Sequence, residues 1–193
     1  MKQFFRVLSL LVIASACHGG QAPGTGSEAD IAAAKSAIQA FAGALQAELK
    51  SAMQAGGPVA AIGVCNTQAL PISKRVSSEH GLALSRVSLQ NRNPDNAPNA
   101  WQSAVLQAFE DRKAQGQDIG SLAWSETANI DGGQEVRFMK AIPTGSLCLQ
   151  CHGSQISPEV SQILAGLYPQ DRATGYSEGD IRGAFVVTRR DPD

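Results

Sequence analysis

The chain has 193 residues, enough for one domain of ordinary size with a well-developed core. Its 43% hydrophobic and 17% charged residues are typical of a globular protein. Because 16 Lys and Arg residues are balanced by 17 Asp and Glu residues, the chain has no excess of positive charge with which to neutralise phosphates. Composition therefore argues against a nucleic-acid-binding protein.

The start of the chain has the pattern of a secretory signal peptide over residues 1–16, with a basic beginning, a short apolar run and small residues before Cys17. The apolar run is too short to span a bilayer as a permanent helix. Cys17 stands where a bacterial lipoprotein carries lipid on its new N-terminal cysteine. Ordinary signal-peptidase cleavage is the alternative, because Ala14 and Ala16 fit an A-x-A site. Lipidation of Cys17 is favoured, and both alternatives predict export to the periplasm.

The residues after the signal peptide divide into a tether and a folded domain. Residues 17–30 are rich in Gly, Pro and Ser and predict a flexible tether, which leaves 31–193 as the domain. From Asp30, the predicted helix cap, apolar residues recur at three- and four-residue steps. The sequence Gly-Gly-Pro at 56–58 predicts the end of this first helix.

A second helix is predicted to begin near Pro58 and to stop at His80, because the next residue, Gly81, is a common helix terminator. This helix carries Cys65 on an apolar segment. Pro71 lies inside it and should break or kink it, since proline lacks the N–H that a helix interior uses.

The rest of the chain has strand patterns interleaved with helical ones. Residues 82–94 predict a strand, with Val87 and Leu89 on one face. The remaining predicted elements are a helix over 99–115, a hairpin of strands over 121–128 and 135–142, a short helix over 158–167 and a strand within 180–190. This order predicts an α+β domain around an antiparallel sheet.

The stretch "CLQCHG" carries the chemistry. Cys148 and Cys151 flank two residues and His152 follows directly, which is the pattern of c-type haem attachment. Two thiols at this spacing can each reach one vinyl group of a porphyrin, and the adjacent histidine lies beneath the iron as its proximal ligand. Predicted export agrees with a haem, because bacteria attach haem c outside the cytoplasm. The motif therefore favours one haem c.

The motif has three alternatives to a haem. A zinc ribbon needs a second ligand pair, and the chain has no other Cys-x-x-Cys. A thioredoxin-like redox pair usually lies in a βαβ unit, a pattern that is missing here. The plainest alternative is a structural or redox-active disulfide between Cys148 and Cys151 in an exported, non-haem domain.

The opposite face of the iron has several candidate ligands in the sequence. They are His18 on the tether, His80 at a helix end, Met139 on a strand and the lone thiol of Cys65. An unpaired thiol in an exported protein needs an explanation. Cys65 could equally be a small buried residue, or could pair with Cys17 in a disulfide if no lipid is added.

Five stretches together resemble a family of exported single-haem c-type proteins with a PAS-like fold, catalogued as a domain of unknown function. They are "VCNTQALPIS", "VSLQNRNPDNAPNAW", "CLQCHG", "YPQDRATGY" and "GDIRGAFVV", and the resemblance extends from about Ala32 to Val187. One departure is Leu70 before Pro71, where a small residue is expected.

The resemblance implies a PAS-like antiparallel sheet flanked by helices, and a haem ligated by His152 on one side and by the thiolate of Cys65 on the other. Such a haem would be six-coordinate with a low reduction potential, because an anionic sulfur stabilises ferric iron. A protein with such a haem would act either in single-electron transfer with an unidentified redox partner or as a redox or ligand sensor that signals to an unidentified partner. The sequence contains no catalytic triad, pair of acid/base carboxylates or phosphate loop, so it does not predict an enzyme. The candidates for pairing with haem propionates are Arg86, Arg92, Arg137 and Arg182.

Overall fold

The computed structural model describes residues 26–190. The predicted signal peptide, Cys17 and His18 lie outside the described residues. The helices are α1 (Glu28–Thr67), α2 (Ala69–His80), α3 (Ala100–Ala114), α4 (Leu149–His152) and α5 (Pro158–Leu167). The strands are β1 (Ala83–Val87), β2 (Ala123–Ile130), β3 (Gly133–Pro143) and β4 (Ile181–Arg190). The predicted α+β class, with long N-terminal helices and an antiparallel sheet flanked by helices, is confirmed.

The four strands form one antiparallel sheet in the order β1-β4-β3-β2. Alternate residues of each strand face opposite cores. Leu84, Phe138 and Val187 pack with α1 and α2 on one face. Met139 and Val186, which are adjacent to Phe138 and Val187, pack with α3 on the other face. Each face of the sheet is therefore covered by helices.

Strand β4 contains one extra residue where it passes the end of β3. Ile142 pairs with Gly183 and Pro143 pairs with Ile181, so Arg182 has no partner in this ladder. Such a bulge redirects side chains. Ile181 and Ala184 both join the core against α3, which leaves Arg182 to project from the opposite face of the strand.

Helix α1 changes direction at Gly56 and Gly57, whose backbone angles are not helical. The predicted end of the first helix is thus a kink, and its second arm starts at Pro58, where a missing N–H costs nothing. The break predicted at Pro71 lies earlier, at Gln68, between α1 and α2. Pro71 falls in the first turn of α2, where the backbone N–H has no partner within the helix anyway.

The boundaries of several elements differ from the prediction by a few residues. Helix α1 is capped by Ser27 rather than Asp30, because the Ser27 hydroxyl accepts from the Asp30 N–H at 3.2 Å. Strand β1 ends at Val87, so the alternation expected to continue to Leu89 is wrong: Ser88 turns inward and its Oγ accepts from the N–H of Gln90 at 3.2 Å. The helix end at His80 is confirmed, with Gly81 in the left-handed conformation.

No helix within residues 26–190 is both long and apolar enough to cross a membrane.

Candidate functional site

The Cys-x-x-Cys-His motif lies on a compact turn. Cys148 ends a short 3-10 helix (Ser146–Cys148), and the four-residue helix α4 carries Cys151 and His152. Gly153 then passes so close to the preceding turn that a Cβ placed on it would lie 2.6 Å from the Leu149 carbonyl oxygen. Only glycine fits at this position, because any side chain would clash with the preceding turn.

The imidazole of His152 has a fixed orientation and tautomer. Its Nδ1 lies 2.7 Å from the carbonyl oxygen of Ala173. A carbonyl oxygen can only accept, so Nδ1 donates a proton and Nε2 keeps its lone pair. Burial, together with the positive charges of Arg182 and Arg92, lowers the pKa of His152 to about 3 against the opposing effect of this hydrogen bond. The neutral ring therefore presents Nε2 as a ligand atom at physiological pH.

Arg92 ties the motif to the segment that orients the histidine. Its Nη2 donates to the carbonyl oxygen of Cys151 at 2.6 Å and to that of Ala173 at 3.3 Å. Its Nε donates to Asp171 Oδ2 at 2.9 Å, and the two side chains are only 10% and 11% exposed. Asp171 Oδ1 accepts from the N–H of Ala173 at 2.8 Å. One ion pair thus fixes both the motif and the carbonyl that accepts from His152.

Tyr176 holds the other side of the motif. Its backbone N–H donates to the His152 carbonyl at 2.9 Å, and Gly153 forms an isolated parallel bridge with it. The Tyr176 ring stands edge-on to the imidazole, with ring centroids 6.3 Å apart and planes at 87°. The segment from Asp171 to Tyr176 therefore fixes the rotation of the His152 ring through backbone and ring contacts.

Cys65 lies on the second arm of α1, which contacts α4 and α5. On this arm Ile62 packs against Val160, Leu164 and Tyr168, with Cys151 at the edge of the same cluster. The kink at Gly56 and Gly57 is what turns this arm toward the motif.

The thiol of Cys65 shares an electrostatic environment with the motif. Burial raises its pKa, Arg86, Arg92 and Arg182 lower it, and Cys148 raises it. Its surface is nonetheless accessible to solvent. Protein atoms packed around this surface residue nevertheless remove enough water to raise its pKa above that of an ordinary thiol. Cys65 therefore lies within the reach of the charges that surround Cys148 and His152.

Within the described residues the three thiols are free, and they do not belong to a cluster that could hold a bare metal ion. Cys65, Cys148 and Cys151 form no disulfide within the part of the chain that is described. Within residues 26–190, no group of three or more His, Cys, Asp and Glu side chains could hold a metal ion.

Two other candidate ligands belong to other parts of the fold. Met139 is fully buried in the core between the sheet and α3, which makes it a packing residue. His80 forms the last residue of α2, next to its Gly81 cap. Cys17, the partner of Cys65 in the alternative disulfide, and His18 lie outside the described residues, so both alternatives stay predictions.

Sequence reasoning missed the Arg92–Asp171 pair and the role of Ala173. Arg92 was a candidate for a propionate, whereas the structure assigns its guanidinium to Asp171 and two carbonyls. The available signal was the stretch "YPQDRATGY", which contains Asp171 and Ala173. Nothing in that stretch indicates which basic residue, 79 positions away in the chain, would pair with it.

Replacing Arg92 with alanine should destabilise the protein by about 3 kcal/mol, because the largely buried carboxylate of Asp171 is left without its partner. The control is Arg75→Ala, which removes an exposed i,i+4 pair with Glu79 and should cost less than about 0.5 kcal/mol. Urea unfolding followed by circular dichroism measures both free energies of unfolding. Equal losses in the two variants would show that the Arg92 pair does not hold this site together.

Comparison with known proteins adds a family to this geometry. A crystal structure of the cyanobacterial heme-protein Tll0287 matches with a TM-score of 0.61 at 21% sequence identity, covering 86% of this chain and 98% of that chain. That likeness shows a shared fold. No curated protein matches the chain. The profile of the Tll0287-like family matches residues 25–189, and the protein belongs to that family.

Proposed function

We propose that this protein carries one haem c, bound covalently through Cys148 and Cys151, with His152 and Cys65 as the two axial ligands. The observation that carries the proposal is the hydrogen bond from His152 Nδ1 to the Ala173 carbonyl, because it leaves Nε2 as a ligand atom beside two free thiols. The similarity to a protein described as a cyanobacterial heme-protein supports the same cofactor.

The chemistry of the described residues fits a haem. Two thiols on one turn suit two vinyl groups, and a neutral imidazole with a fixed tautomer suits the iron. The third thiol, Cys65, stands on a different helix within the same electrostatic environment. Ligands divided between α1 and α4 suit a large planar group bound between the two helices better than a bare ion.

The residues around His152 would adjust how strongly it donates to the iron. Ala173 accepts from His152, but the same oxygen also accepts from Arg92. A carbonyl that is already polarised by a guanidinium is a weaker acceptor, so the imidazole retains less anionic character than it would with a lone carbonyl partner. A bound haem would supply one-electron exchange between ferric and ferrous iron.

Cys65 would act as an anionic ligand. Burial outweighs the opposing effect of the three nearby arginines and raises the pKa of Cys65, so without a metal the residue is a neutral thiol at physiological pH. Metal binding requires the deprotonated form and releases its proton. A thiolate favours ferric iron, and this predicts a low reduction potential.

Single-electron transfer at the cell envelope is the function that this arrangement supports best, because each axial position has a candidate ligand and neither needs to be open to substrate. Sensing is the second candidate. The observation that favours it is the position of Cys65 on an arm separated from the rest of α1 by the Gly56–Gly57 kink. Movement of that arm would release the thiolate and transmit a signal to a partner protein.

Covalent attachment is tested by expressing the full-length chain in bacteria with a c-type haem maturation system. We expect an absorption spectrum of haem c, with the haem remaining on the polypeptide after acid denaturation. Replacing both Cys148 and Cys151 with serine should abolish attachment, whereas Cys65→Ser should retain it. An absence of haem from the wild-type chain, in cells that mature a control cytochrome, would favour the alternative of a non-haem domain with a Cys148–Cys151 disulfide.

The role of Cys65 is tested on the holoprotein with the variant Cys65→Ser. Loss of the thiolate should remove its ferric spectral features and raise the reduction potential by ~0.1 V or more, within the roughly 0.8 V range that axial ligands span. Met139→Leu is the control, because Met139 packs in the core on the α3 face of the sheet and its replacement nearly conserves volume. An unchanged spectrum in Cys65→Ser would exclude Cys65 as a ligand.

Carbon monoxide binding to the same two proteins separates the two functions. In an electron-transfer protein, reduced wild type should bind carbon monoxide much more slowly than reduced Cys65→Ser, because the sulfur occupies the site. In a sensor, the two rates should be similar.

We also propose that the protein is exported and held at the membrane by lipid on Cys17, the residue after the predicted signal peptide. Labelling cells with a fatty-acid analogue should mark the wild-type protein and leave Cys17→Ala unmarked and released from the membrane fraction. Equal labelling of both would refute lipidation at this residue.

A further inference from the structure

The four arginines near predicted strands have different partners in the structure. Arg137 lies 2.7 Å from Glu135 and stacks over the Trp101 ring at 4.9 Å. Arg92 pairs with Asp171. The charges of these two guanidinium groups are therefore balanced by carboxylates of the protein itself.

Arg86 and Arg182 are different. Within residues 26–190, no carboxylate forms an ion pair with either side chain. Arg86 stacks over the Phe41 ring at 5.3 Å, and Arg182 stacks over the Tyr176 ring at the same distance. Arg182 Nη1 also donates to Ser88 Oγ at 3.1 Å. Aromatic faces and neutral oxygens orient these cations but do not cancel their charge.

Both cations are held in poorly solvated surroundings on the side of the sheet that faces the motif. Arg86 and Arg182 are each only partly accessible to solvent, and in keeping with this, burial lowers the pKa of both guanidinium groups. Arg86 alternates with Val87 along β1, so it lies on the face that packs against α1. The bulge in β4 directs Arg182 away from the α3 core. Both charges act on His152.

The bulge in β4 interrupts the regular pairing of the strand, and bulges of this kind are common beside functional sites. A Cβ on Gly183 would lie 2.3 Å from the Val87 carbonyl oxygen, so this position beside Arg182 admits only glycine. Partly desolvated cations without counterions are unfavourable. Together these features predict an anionic ligand at this end of β1 and β4.

We propose that Arg86 and Arg182 together bind the two carboxylates of the haem. The inference rests on the proposed function, and formal charge supports it. A ferric porphyrin core carries one positive charge, which the thiolate of Cys65 would cancel. Two carboxylates then remain, and two guanidinium groups match them. Guanidinium forms paired hydrogen bonds with carboxylate, which makes arginine suited to this role.

The test compares ferric haemin with its dimethyl ester, in which both carboxylates are neutral. The protein is the full-length chain with Cys148→Ser and Cys151→Ser, so that binding is non-covalent and its affinity can be measured by absorption titration. This double-serine variant is the parent protein for the titrations. It should bind haemin about ten- to a hundredfold more tightly than the ester, as expected for hydrogen bonds between charged groups. Arg86→Gln and Arg182→Gln, added singly, should each weaken haemin binding about tenfold or more and weaken ester binding much less, because the ester has no carboxylate for the lost guanidinium to bind.

Arg75→Gln is the matched control, because Arg75 is an exposed arginine on α2 that pairs with Glu79; it should change neither affinity. If the parent binds both compounds equally, or if Arg86→Gln and Arg182→Gln weaken both equally, the inference fails while the proposed function stands. If the wild-type chain also takes up no haem during maturation, the proposed function itself fails.

A measurement on the wild-type holoprotein covers the case in which the parent binds neither compound. The propionate-bending bands of the resonance Raman spectrum report hydrogen bonding to the haem carboxylates. Arg86→Gln and Arg182→Gln should each shift these bands, whereas Arg75→Gln should not. Unshifted bands in both variants would overturn the assignment.

Discussion

The hydrogen bond between His152 Nδ1 and the Ala173 carbonyl is the interaction on which the site depends, because it selects the tautomer and the direction of the ring. That carbonyl is presented by an irregular segment between α5 and β4, and a loop holds such a position only if it is tied down. The pair of Arg92 and Asp171 supplies this restraint from both sides of Ala173. Orientation of the ring is therefore a property of the fold rather than of the five-residue motif.

The sheet and the kinked helix bring separate parts of the chain to this segment. Arg92 follows the end of β1, Arg182 stands on the bulge of β4, and Cys65 lies beyond the kink of α1. Each device departs from regular structure at one point: a strand that stops early, an inserted residue and a pair of glycines. Departures of this kind cost stability and are commonly found at functional sites, where they aim side chains that regular elements would direct elsewhere.

The sequence predicted the elements well because their signals are local. The helix Pro158–Leu167 and the strands of the hairpin follow from periodicity and turn residues, and the motif follows from spacing. The Arg92–Asp171 pair could not be predicted, since an ion pair between residues 79 positions apart leaves no local pattern in the sequence. The early end of β1 was missed for a related reason: Ser88 and Leu89 continue the alternation, but Ser88 instead accepts a hydrogen bond within a turn.

Charge links the fold to the cofactor that we propose. Asp171 forms an ion pair with Arg92, so the charge of this arginine is balanced within the polypeptide. Arg86 and Arg182, in contrast, have only aromatic and neutral partners among residues 26–190. The first arrangement stabilises the protein with or without a ligand. The second leaves positive charge poorly solvated until an anion arrives. A fold that combines the two can position its histidine beforehand while reserving part of its electrostatic stabilisation for the bound state, and binding then stabilises the native protein by mass action.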